Sequence, residues 1–118
     1  MLKIEKVDFN YCMIYYIKGT KTPHREDGPA MIYDNGDKYW YVNGKRHRLD
    51  GPAVEFHTGS ESWYCNGKLH REDGPAQDWG DKKRWALNGV TYTKEEWFNN
   101  LTEEQQAKAL YSEFFIKG

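Results

Sequence analysis

The stretch His24-Arg25-Glu26-Asp27-Gly28-Pro29-Ala30 returns as His47-Arg48-Leu49-Asp50-Gly51-Pro52-Ala53 and again as His70-Arg71-Glu72-Asp73-Gly74-Pro75-Ala76. The glycines at 28, 51 and 74 are 23 residues apart both times (51 − 28 and 74 − 51). A fixed period in the twenties is the signature of stacked supersecondary units, each too small to bury its own apolar face. Between these marks every unit has the same grammar. A short strand follows Gly-Pro-Ala, then a Gly-centred turn (Asn35-Gly36, Thr58-Gly59, Trp79-Gly80). A second strand carries Trp40, Trp63 or Trp85, and an Asn-Gly pair ends it (43-44, 66-67, 88-89). Asn-Gly between strand-like segments predicts a type I′ hairpin, because both central residues need positive φ.

Working outward, residues 1 to 22 contain Leu2, Ile4, Val7 and Phe9, then the apolar run Tyr11 to Ile17. They predict two strands and a worn first repeat, as terminal units of a stack are atypical. After residue 92 the period changes. Thr93-Lys94-Glu95-Glu96 and Thr102-Glu103-Glu104-Gln105 read as capping boxes, so two short helices are expected. In the second, Ala107, Leu110, Tyr111 and Phe114 fall on one face at helical spacing, which is expected to cap the sheet or to dock on a second copy. The fold expected is mainly β: an antiparallel sheet of tandem 23-residue hairpin repeats with two short C-terminal α-helices. It forms one domain over 1–118, comprising a degenerate repeat (1–23), the hairpin repeats (24–92) and a helical cap (93–118).

Alternation along the strands assigns faces. Trp40 with Val42, Trp63 with Cys65, and Trp85 with Leu87 are expected to form the buried stripe, matched by Met31 with Tyr33 and Val54 with Phe56. Ile32, Tyr39, Tyr41 and Tyr64 are expected on the wetter face. With Arg48, Arg71 and Arg84 nearby, Tyr39, Tyr41 and Tyr64 form the candidate partner-binding set, since rings with a polar tip and planar cations dominate interface hot spots.

The repeated His-Arg-x-Asp cluster attracts a catalytic or metal reading, but its spacing excludes a joint site. Two strands per unit at ~4.8 Å apiece set equivalent histidines roughly 10 Å apart, whereas one metal needs its nitrogens at about 2 Å. The cluster therefore reads as structural: Asp capping its turn through an Asx bond, Gly supplying free φ, and His or Arg bonding to the next repeat. Cys12 and Cys65 have neither metal-ligand spacing nor the density of a disulfide framework. No phosphate loop, nucleophile elbow or paired carboxylates occur, so no enzyme, cofactor or metal is expected. The 17 Lys+Arg balance 18 Asp+Glu, which argues against nucleic acid as a partner. No run approaches a membrane span or a signal-peptide core, so a cytoplasmic protein without membrane attachment is expected.

The segments Tyr39-Trp40-Tyr41-Val42-Asn43-Gly44-Lys45-Arg46-His47 and Ser62-Trp63-Tyr64-Cys65-Asn66-Gly67-Lys68-Leu69-His70 resemble MORN repeats. Those units place a Trp or Tyr before an Asn-Gly-Lys turn and a His after it. The likeness covers about residues 11 to 92 and departs after the His, where MORN units usually have Gly and this chain has Arg25, Arg48 and Arg71. The Asp-Gly-Pro-Ala variant is similar to small repeat proteins of tailed phages and giant viruses. The resemblance implies an elongated antiparallel sheet used as an interaction platform, and a phage-encoded inhibitor of a host factor acting in the host cytoplasm. The expected function is a non-enzymatic module binding a partner protein; the alternative is a protein that sequesters a small, nucleotide-like molecule with Arg and Tyr.

Overall fold

In the computed structural model, which describes residues 2–116, nine strands form one antiparallel sheet. In spatial order they are β1 (Ile4–Asp8), β2 (Cys12–Ile17), β3 (Met31–Tyr33), β4 (Lys38–Tyr39), β7 (Val54–Glu55), β8 (Glu61–Ser62), β11 (Gln77–Asp78), β12 (Lys83–Leu87) and β13 (Val90–Tyr92). Two side hairpins complete the β structure: β5 (Tyr41–Val42) with β6 (Lys45–Arg46), and β9 (Tyr64–Cys65) with β10 (Lys68–Leu69). The predicted hairpin repeat is therefore present; the second strand divides at Trp40 and at Trp63, whereas β12 runs unbroken through Trp85. Trp40 donates its N–H to Ala53 O of the next unit (2.7 Å) while its own C=O accepts from His47 N (3.2 Å), so the strand passes from the sheet into the side hairpin there. Asn43, Asn66 and Asn88 (φ 50°, 51° and 49°) and the glycines after them have positive φ, as the type I′ reading requires.

One joint recurs three times between units. His24 Nδ1 accepts from Asn43 N at 2.8 Å, His47 Nδ1 from Asn66 N at 2.9 Å, and His70 Nδ1 from Asn88 N at 3.0 Å. Beside these bonds, Arg25, Arg48 and Arg71 N–H donate to Tyr41, Tyr64 and Ala86 O at 3.0, 3.1 and 3.1 Å. Each histidine thus ties its unit to the turn of the following one, as the sequence suggested.

The roles of Arg, Asp and Gly differ from expectation. Arg48 lies 4.0 Å over the Trp40 ring, and its Nε donates to Asp50 Oδ1 at 3.0 Å and its Nη1 to Pro52 O at 3.1 Å. Arg71 repeats this on Trp63, Asp73 and Pro75, and Arg25 on Tyr15, Asp27 and Pro29. The Asp is therefore the guanidinium's partner and not an Asx cap. Gly28, Gly51 and Gly74 do not have positive φ; they are small because the guanidinium lies on them, and a Cβ at Gly51 would stand 2.6 Å from Arg48 Cζ.

Register corrects the face assignment. Directly paired residues of an antiparallel sheet share a face, and Met31 pairs with Tyr39, Tyr39 with Val54, and Val54 with Ser62. Met31, Tyr33, Val54 and Phe56 thus lie with Tyr39 and Tyr41, opposite Trp40, and Ile32 lies on the Trp40 face through its partner Lys38. The length of each Gly-centred turn sets this pairing, and the strand pattern alone leaves it open.

The C-terminal segment forms α1 (Lys94–Asn99), α2 (Glu103–Leu110) and the single-turn α3 (Glu113–Ile116), with both predicted capping boxes in place at Thr93 and Thr102. The core sits here. Trp97 is fully buried, 4.7 Å from the Trp85 ring, with its Nε1 donating to Arg71 O at 2.8 Å. Leu101, Ala109, Phe98, Phe114 and Phe115 close around this pair. The helices do cap their own sheet, but the expected face is wrong. Leu110 and Tyr111 are 51% and 81% exposed and Ala107 is exposed, whereas Ala109 is buried. Helix α2 ends at Leu110, and the chain turns so that Phe114 and Phe115 reach the core from α3.

Candidate interaction surface

The helices lie on the Trp85 face and against β13, which leaves the opposite face of the sheet to the strands and side hairpins. An aromatic ladder crosses that open face. Successive ring centroids are 6.4 Å apart for Phe9 and Tyr11, 6.5 Å for Tyr11 and Tyr33, 5.7 Å for Tyr33 and Tyr39, and 6.2 Å for Tyr39 and Phe56. Tyr33, Phe56 and Trp79 are the same position in three units, since 56 − 33 and 79 − 56 are both 23. Tyr11 is 63% exposed and Trp79 41%, and the rings between them are half-buried.

Arg46 organises the centre. Its guanidinium lies 5.5 Å from the Tyr39 ring and 5.3 Å from the Tyr64 ring. Its Nε and Nη1 approach the Tyr41 and Tyr64 hydroxyl oxygens at 3.4 and 3.5 Å. The three candidate tyrosines are thus brought together, by a cation that reasoning on the sequence left out. The signal that singles it out is its register in the side hairpin: Arg46 pairs with Tyr41, while Leu69 pairs with Tyr64 in the next unit. Partial burial pulls the Arg46 pKa down, but the Tyr41 and Tyr64 oxygens outweigh it and hold the guanidinium above its ordinary value. Burial, followed by the nearby Asp37 charge, raises the Tyr39 hydroxyl, which stays a neutral donor.

Arg48 and Arg71 are not part of this cluster. They sit on the other face, stacked on Trp40 and Trp63 with their N–H groups engaged. Arg84 shares the tyrosine face through its pairing with Gln77, farther along the sheet, where it stands 5.6 Å from the Trp79 ring.

Comparison with known proteins returns no match to a family model, a curated protein or a solved structure. The site's chemistry therefore rests on its own geometry. Among the described residues no group of three His, Cys, Asp or Glu side chains converges as a metal site would require. No helix among them is long and apolar enough to cross a membrane. Burial raises the Cys12 thiol pKa, which makes it a poor nucleophile. On the Trp40 face, a groove of about 730 Å³ runs between units along Trp40, Val42, His47, Arg48 and Leu49. Leu49 stands where Glu26 and Glu72 approach Nε2 of His24 and His70.

Proposed function

We propose that this protein is a non-enzymatic interaction module that binds a partner protein through the open face of its sheet. The observation that carries the reading is the cluster of Tyr39, Tyr41 and Tyr64 around Arg46, half-buried on the face opposite the helices. Tyrosine and arginine concentrate binding energy because they offer large contact area at small entropic cost with a polar tip to orient it. Here the rings hold one another and Arg46, so little ordering remains to be done on binding. The resemblance to MORN repeats agrees with an interaction platform, and a viral inhibitor of a host factor in the host cytoplasm is the form of this function that the repeat variant suggests.

The test is affinity capture with the wild-type chain and two folded variants. Arg46→Glu with Tyr64→Ser should lose a partner that the wild type retains, while Lys38→Glu, on the opposite face, should keep it. Equal capture by both variants would refute the open-face assignment. The groove beside Leu49 supports a second reading, a small nucleotide-like ligand. In that case a thermal-shift screen against nucleotides would show a concentration-dependent rise, because a ligand that binds only the native state stabilises it.

A further inference from the structure

The two ends of the sheet are unlike. At the C-terminal end α1 packs against β13, whereas β1 is the terminal strand at the other end and, among the described residues, pairs only with β2. Four of its five residues are exposed, and Leu2 and Phe9 flank it at 50% and 41% exposure. The hydrogen-bond pattern says which groups face outward. Lys3 O accepts from Lys18 N and Phe9 N donates to Cys12 O, both at 2.8 Å, so the odd residues of β1 are those bonded to β2. By antiparallel alternation, the N–H and C=O groups of Ile4, Lys6 and Asp8 point to the free edge.

We propose that this edge pairs with β1 of a second copy, antiparallel, about a two-fold axis perpendicular to the sheet. Such an axis pairs residue i with 2c − i, where c is the residue on the axis, and charge selects c. Centring on Lys6 opposes two ammonium groups, and centring on Glu5 opposes two carboxylates. Centring on Val7 sets Val7 against Val7 and places Lys6 beside the partner copy's Asp8, twice by symmetry. Lys6 and Asp8 are then hydrogen-bonded pairs through the outward groups just identified. Opposite charges directly across strands are favourable and like charges unfavourable; centring on Ile4 would also oppose Lys3 and Glu5, but it overlaps the two β1 strands at Ile4 alone, whereas the register centred on Val7 overlaps them from Lys6 to Asp8 and is the one proposed. A perpendicular axis keeps both open faces on one side, and the two aromatic ladders then meet across the axis through Phe9 and Val7.

The test is sedimentation of the full chain over a concentration series. Wild type should form a dimer. Lys6→Asp and Asp8→Lys should each weaken it by about tenfold or more, since each variant turns two attractive pairs into two repulsive ones. Mixing the two variants should restore a heterodimer, because the strand of one copy then carries carboxylates at both positions and the strand facing it carries ammonium groups at both. Circular dichroism confirms the fold of each variant, and the mixing arm works only if both are folded. A monomeric wild type, or single variants that dimerise as well as wild type, would overturn the proposal. So would loss of the dimer on Leu110→Ser with Tyr111→Ser while Lys6→Asp is silent, which would place the contact on α2.

Discussion

Replacing Gly51 by Ala tests the Arg staple. A Cβ at this position would lie 2.6 Å from Arg48 Cζ, 2.8 Å from Nε and 2.9 Å from Nη2. One of the two must move, and the guanidinium is the mobile partner. Displacing it breaks its bonds to Pro52 O (3.1 Å), Asp50 (3.0 Å) and Glu55 (2.8 Å) and unstacks it from Trp40. Asp50 is well exposed, so that pair contributes little. A charge-assisted bond to a backbone carbonyl is worth ~1.5 kcal/mol and a half-buried cation–π contact about 1 kcal/mol. The expected loss is therefore about 2 to 3 kcal/mol, or a fall in melting temperature on the order of 10 °C for a domain of this size. The diagnostic is a double-mutant cycle by urea denaturation. If Gly51 is small only to admit Arg48, Arg48→Ala already incurs the loss, and adding Gly51→Ala should cost less than about 0.5 kcal/mol more. Additive losses would refute the argument and show that the backbone at Gly51 is itself what demands glycine.

Trp97→Ala should cost about 3 to 5 kcal/mol in chemical denaturation, because a fully buried ring and its bond to Arg71 O are lost together. Leu110→Ser with Tyr111→Ser should change stability by no more than about 0.5 kcal/mol each, since both side chains stand in solvent. A chain ending at Leu101 should bind hydrophobic dye and melt earlier, because Phe114 and Phe115 no longer cover Trp85 and Trp97. The Asp37 carboxyl is held below its ordinary pKa by the His57 backbone N–H first and the His57 side chain second. A depressed folded-state pKa gives stability that is complete above the unfolded value and is lost as pH falls through the folded one. Asp37→Asn should therefore flatten the decline in stability below about pH 4, read from urea midpoints across that range.

The period, both kinds of turn and the two capping boxes were legible because each depends on residues close in sequence. Asn43-Gly44 needs nothing distant to be a type I′ turn, and Thr93 with Glu96 closes its box within one turn of helix. The errors share a cause, which is that pairing and direction are properties of more than one segment. Tyr33 and Tyr39 share a face through the register across a four-residue turn, and Arg46 joins the tyrosines only because the side hairpin lays it beside Tyr41. Leu110 and Phe114 have ideal helical spacing, yet α2 ends between them and the spacing no longer means a common face. Arg48 read as a surface cation because nothing local reveals that Gly51 and Trp40 make a slot for it.

The joint built from His Nδ1 and the following Asn N–H is the same at all three junctions, and each bond spans 18 or 19 residues. Every unit therefore recognises a neighbour by features that all units carry, and none by its place in the row. The chain is modular in the manner of a zip fastener: a further 23-residue unit spliced in after Ala53 would find a matching tooth on each side. Recombination between the near-identical Asp-Gly-Pro-Ala segments would change the length of the platform in whole units while leaving the first strands and the helical cap untouched. The reach of the open face is then a heritable quantity that varies in steps of two strands.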